Sequence, residues 1–217
     1  MMMAGLRERK KEQTRRRIAE VALRLFDERG YDAVTVNEVA EAAGVAKVTL
    51  FAYFPTKECL VLDGMRDDTA GIVAARRAGQ SPLDALREHY RAMAARGAEG
   101  VDVERLLARV RVVSATPALM AGVYQAHLGQ RYELAAALTA ASAADEPARA
   151  DDADAFAEGE GLAAQIMAGQ ITTTLTTLRE AFFQRLASGM TLEEAGRRLA
   201  ADVELAFDLL ENGLSGR

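Results

Sequence analysis

Lys47 and Thr49 stand two residues apart in the segment Val45-Ala46-Lys47-Val48-Thr49-Leu50-Phe51, with small or apolar side chains around them. A lysine ammonium can donate to guanine, and a threonine methyl can meet the thymine methyl. That chemistry reads a base edge and breaks no bond. Carboxylates are plentiful, but no arrangement suited to breaking bonds is evident. The two histidines, His89 and His127, lie far apart, and no His-x-x-x-His, Gly-x-Ser-x-Gly or Walker-type glycine loop occurs. The chain is therefore read as a binding protein and not an enzyme, with no cofactor and no metal called for. Cys59 is the only cysteine, which rules out an internal disulfide and a zinc site of several cysteines. It falls at the apolar start of a helix and reads as a structural thiol.

The elements that hold Lys47 and Thr49 can be read outward from them. Thr35 with Glu38 three residues later is a capping box, so a helix starts at Val36. Val36, Val39, Ala40 and Ala43 recur at helical spacing, and Gly44 follows where a helix end needs positive φ. A second short helix begins at once, and Pro55 ends it because the residue before proline leaves the α region. Two short helices joined by a tight glycine turn form a helix-turn-helix, whose second helix fits the DNA major groove.

Thr56 can cap the helix after Pro55, which places Lys57 at its start. Together with Phe26, Gly30-Tyr31 and Thr35, the string GVAKVTLFAYFPTKE closely resembles the N-terminal DNA-binding domain of the TetR family of bacterial repressors, over roughly residues 10–62. The resemblance implies base contacts from Lys47 and Thr49, and phosphate contacts from Tyr53 and Lys57. Thr35 can bring its hydroxyl and the amides of a helix N-terminus to another phosphate. Arg15, with Arg16 and Arg17, adds backbone or minor-groove contacts. Three positions depart from the family pattern. Ala46 stands where a capping Ser is common, a loss of about 1 kcal/mol. Phe51 replaces a common Tyr, and Ala52 is small where bulk is frequent. Phe26, Val39, Leu50 and Phe54 read as core.

Charge divides the chain in the same place. Residues 1–57 hold eleven Lys/Arg and eight Asp/Glu, a balance of 11 − 8 = +3, and the remainder holds sixteen against twenty-four, or −8, for the net −5. A basic end on an acidic body fits DNA binding at that end alone. Half of the 217 residues are hydrophobic, alternating strand patterns are missing, and four prolines leave room for long helices. The fold class is all-α: about nine helices, in a three-helix head (1–56) and a larger regulatory and dimerisation body (57–217). Helix one should run from about Arg9 to Arg29, and helix four from Thr56 to about Arg77. Ser81-Pro82 and Thr116-Pro117 are cap-plus-proline starts. Residues 142–154 are acidic and read as a loop, and Thr191-Leu192-Glu193-Glu194 opens the last helix with a second capping box.

One head supplies few base contacts, so two should bind a pseudo-palindromic site. Leu162 and Ile166 on one of the last two helices, with Leu199, Val203, Phe207 and Leu210 on the other, form the expected dimer interface. The resemblance also implies a small-molecule pocket in the body. Candidate lining residues are Tyr90, Met93, Arg109, Met120, Tyr124, His127, Gln165 and Thr174, a mix of apolar, aromatic and polar groups. The functional expectation is a cytoplasmic, homodimeric repressor released from double-stranded operator DNA by a small-molecule effector. The alternatives are a ligand-independent regulator or an activator with the same head, and a helical interaction module. No apolar run reaches membrane-spanning length, and no secretory signal appears.

Overall fold

Several helix ends in this chain are set by residues visible in the sequence. A computed structural model describes residues 2–63, 67–95, 102–145 and 153–213. All the elements among them are α-helices: α1 (Met2–Arg29), α2 (Val36–Ala42), α3 (Lys47–Tyr53), α4 (Cys59–Leu62), α5 (Thr69–Ala74), α6 (Pro82–Ala95), α7 (Val103–Ser114), α8 (Pro117–Asp145), α9 (Ala153–Ala187) and α10 (Leu192–Asn212). Gly30, at φ 87°, ends α1 and donates its amide to the Phe26 carbonyl at 2.9 Å. Thr191 accepts from the Glu194 amide at 3.2 Å and opens α10 as its spacing predicts.

Among the described residues, ten helices replace the expected nine because the fourth is broken. Asp63 takes an extended conformation (ψ 135°) and closes α4. Asp68 then caps α5 by accepting from the Gly71 amide at 2.9 Å. The long helix expected over 56–77 is therefore two short ones. α1 also begins well before Arg9. α8 runs to Asp145 and α9 starts at Ala153, so both ends of the expected 142–154 loop are helical; its residues 146–152 lie outside the described residues. Thr116 precedes Pro117 as expected, but its hydroxyl donates back to the Val112 carbonyl of α7 at 2.8 Å. Ser81 does cap α6, accepting from the Asp84 amide at 3.1 Å.

Packing divides the chain into two compact units. The first comprises Met1–Met65 and Asp102–Tyr124. Its core joins Ile18, Ala22 and Phe26 of α1 to Val39, Leu50, Phe54 and Leu60, and to Ala108 and Val112 of α7. Two ion pairs fasten α7 to α1. Arg111 grips Asp27 with both arms of its guanidinium, at 3.0 and 2.7 Å, and Arg105 reaches Glu20 at 2.7 Å. The Arg111 guanidinium holds the Asp27 carboxyl below its ordinary range.

The second unit comprises Arg66–Val101 and Gln125–Arg217. Its core includes Leu86 and Tyr90 of α6, Leu134 and Leu138 of α8, Ile171 and Leu175 of α9, and Val203 and Phe207 of α10. Arg91 holds Glu204 at 2.6 and 2.7 Å, and Arg87 holds Asp208 at 2.7 Å, so α6 is tied to α10 along its polar edge as well. No single helix among the described residues is long and apolar enough to cross a membrane.

Candidate nucleic-acid interface

The turn between α2 and α3 is built so that α3 can stand proud of the core. Thr35 and Glu38 form the full capping box: the Glu38 amide donates to the Thr35 hydroxyl at 3.3 Å, and the Thr35 amide and hydroxyl both donate to the Glu38 carboxylate at 2.8 Å. At the other end Gly44 (φ 63°) donates to Glu41, and Val45 donates to the Ala40 carbonyl at 2.9 Å. That pair of bonds is a Schellman motif, which permits an immediate change of direction. α3 then starts at Lys47 with no side-chain cap, because Ala46 has no group to offer.

Within α3 only Leu50 is buried, at 0 % exposure. Lys47, Val48, Thr49, Phe51 and Ala52 are all exposed, and Tyr53 is half-buried. Leu50 therefore anchors the helix, helped by Tyr53 against the same core, while its other faces point to solvent. Lys47 and Phe51 share a flank, with the ammonium 6.0 Å from the ring centre. Thr49 lies on the opposite flank, since successive helical residues are turned by about 100°.

The remaining expected DNA contacts are more occupied. Arg15 of α1 donates from Nε to Asp63 at 3.1 Å, again from Nη2, and lies 5.1 Å over the Phe54 ring. A phosphate would have to compete with Asp63 for it. Thr35 spends its amide and hydroxyl on Glu38, whose negative charge already fills the α2 N-terminus. Lys57 donates to the Tyr31 carbonyl at 2.6 Å and sits 4.1 Å over the Tyr31 ring and 5.5 Å from that of Phe26. Its ammonium thus ties the α1–α2 connection to the start of α4. Lys57→Ala is expected to lower head stability by about 1–2 kcal/mol through loss of a charge-assisted bond and two ring contacts, read as a fall in the thermal midpoint.

Glu38 gives a pH prediction. The hydrogen bond from the Thr35 amide, then those from Arg29 and the Thr35 hydroxyl, hold its carboxyl down at about 2 against an ordinary 4.5. A depressed carboxyl stabilises the fold above its unfolded value and ceases to do so as pH falls from about 4.5 toward 2. The thermal midpoint of the parent is expected to drop more steeply across that window than that of Glu38→Gln. Parallel curves would refute the assignment.

The expected pocket residues divide between the units. Arg109, Met120 and Tyr124 lie in the first; Tyr90, Met93, His127, Gln165 and Thr174 lie in the second. Tyr90 and His127 share one neighbourhood, around Asp67 and Arg179, whose charged atoms are 3.6 Å apart. Burial, then the Asp67 charge, holds the Tyr90 phenol well above its ordinary value. Burial, then Arg179, lowers the His127 imidazole. Burial also lowers Arg109 on α7. Met93, Tyr124 and Gln165 are exposed, and Thr174 is half-buried. Asp67 and Arg179 carry no local sequence signal, which is why sequence reasoning passed over them.

Among the expected dimer residues, Leu162 and Ile166 on α9 are 60 % and 53 % exposed. Val203 and Phe207 are a correction: both are fully buried in the core of their own unit, with Leu199 and Leu210 packed partly against it. Buried there, Val203 and Phe207 present no surface of their own, whereas Leu199 and Leu210 stay partly exposed. The α10 stripe has the spacing of an interface, but α6 and α9 already cover it.

Comparisons with known proteins bear on the same segment. Residues 18–63 match the family model described as bacterial regulatory proteins, tetR family. The chain is 38 % identical over 124 residues to the HTH-type transcriptional regulator TcmR of Streptomyces glaucescens, covering 54 % of this chain and 55 % of that one. It is 38 % identical over 79 residues to the HTH-type transcriptional repressor KstR2 of Rhodococcus jostii strain RHA1, covering 33 % and 39 %. The match thus spans about half or less of these relatives' length. In fold, the chain is similar to Salmonella enterica GusR, with a TM-score of 0.51 at 17 % identity over 94 % of this chain and 96 % of that one.

Proposed function

We propose, from the match of residues 18–63 to the tetR family of bacterial regulatory proteins, that the chain is a member of that family and works as a cytoplasmic, homodimeric repressor that a small-molecule effector releases from a pseudo-palindromic operator. The observation that carries the DNA-binding part is α3 itself. Leu50 anchors it, with the half-buried Tyr53 packed beside the same core, and Lys47, Val48, Thr49, Phe51 and Ala52 face outward after a rigid two-bond turn. A helix presented in this way enters a major groove, and the basic balance of residues 1–57 draws the duplex to it. The functional division is that of a head over 1–56 and a regulatory body over 57–217.

One seven-residue helix reads few bases, so two copies bind together. The exposed pair Leu162 and Ile166 on α9 supports a second copy of this chain as the partner there. The neighbourhood of Tyr90, His127, Asp67 and Arg179 supports an effector site in the body. An effector that binds one separation of the two heads better than another shifts the DNA equilibrium by that difference in affinity.

Selection of bound duplexes from genomic DNA tests the reading. The expected result is a set of sites with two inverted half-sites, centred about one helical turn or a multiple of it apart, each holding two chains by sedimentation. A monomeric protein that prefers no genomic fragment over scrambled competitor would overturn it.

A further inference from the structure

The geometry of α3 points to Val48, with Ala52 one turn on, as the part of this helix that reads DNA, and to the thymine methyl group as what it reads. This rests on the DNA-binding reading above and goes beyond it. Leu50 fixes which side of α3 faces the core. At about 100° per residue, the direction opposite Leu50 falls between Val48 and Ala52. Val48 is accordingly the most exposed large hydrophobic residue described, at 82 %. Lys47 with Phe51, and Thr49, lie on the two flanks and face the groove walls. A helix seated squarely in a major groove about 12 Å wide turns its outermost ridge to the groove floor, so the floor meets Val48 and Ala52.

That ridge carries no donor and no acceptor. Three of the four bases offer only hydrogen-bonding groups to the major groove, and covering those with a valine leaves them desolvated and unpaired. Thymine is the exception, because its C5-methyl is an apolar surface. An isolated valine held away from its own core also gains from covering such a surface. The ridge therefore selects one or two neighbouring thymines in each half-site and disfavours G·C pairs there. Lys47 and Thr49 set position and affinity on either side.

Thymine-to-uracil replacement removes that methyl and leaves every base pair intact. The probe is a duplex from the genomic selection, with deoxyuridine placed at one thymine position of each half-site at a time. Wild-type protein is expected to lose affinity about fourfold per half-site at one or two thymine positions and to be indifferent at the others. Val48→Ala should bind the thymine duplex more weakly and respond to uracil at those positions much less. Val48→Thr, which keeps one methyl, should retain part of the response. An unchanged thermal midpoint for both variants shows that the exposed side chain does not hold the fold. Equal uracil sensitivity in wild type and Val48→Ala, or selected half-sites without a shared thymine, would overturn the inference while leaving the DNA-binding reading in place. Failure to select any sequence would instead remove the reading on which it rests.

Discussion

Leu50→Ala is expected to cost about 2–5 kcal/mol of stability in the first unit and to remove DNA binding on every sequence alike. α3 has seven residues and no side-chain cap, far below the length at which a helix holds itself together in water. It exists because Leu50 enters the core formed by Phe26, Val39, Phe54 and Leu60. Truncating that side chain leaves a cavity where the helix was fastened, and nothing on its outer faces compensates. Thermal unfolding together with DNA titration checks this. Loss of binding with an unchanged midpoint would mean that Leu50 touches DNA, and intact binding would mean that other contacts hold α3. Val48→Ala, on the opposite side of the same helix, is the matched control: it should change binding and leave the midpoint alone.

The legible parts of this fold are those fixed by one or two neighbouring residues. Thr35 with Glu38, Gly44, Gly30 and Thr191 each satisfy backbone groups within a few residues, so their types and spacing are enough. The Asp63–Asp68 break is not legible because apolar residues continue across it in the sequence through Leu60, Met65 and Ile72, while the capping Asp68 looks like any surface acid. Long-range partners are harder still. The resemblance gives Lys57 as a phosphate contact, but its carbonyl partner, Tyr31, is 26 residues away. Arg15 meets Asp63 across 48 residues. Spacing along α3 identified Lys47 and Thr49 by chemical type. It took the burial of Leu50 to orient the helix and bring Val48 to its outermost edge.

The apolar stripe of α10 illustrates the same limit and supplies the second large effect. A period near 3.6 says that Leu199, Val203, Phe207 and Leu210 are covered, without saying by what. Here the cover is internal. The Phe207 ring lies 6.4 Å from that of Tyr90, Arg87 stands 6.0 Å over it, and Leu86, Ile171 and Val203 complete the same core. Phe207→Ala is therefore expected to lower stability by about 3–5 kcal/mol, and Phe207→Leu by distinctly less because it leaves a smaller void. An interface residue behaves differently, since the stability it adds depends on how much partner is present. The gap in thermal midpoint between Phe207→Ala and the parent should thus be the same at every protein concentration. A gap that closes on dilution would return Phe207 to the surface between two chains.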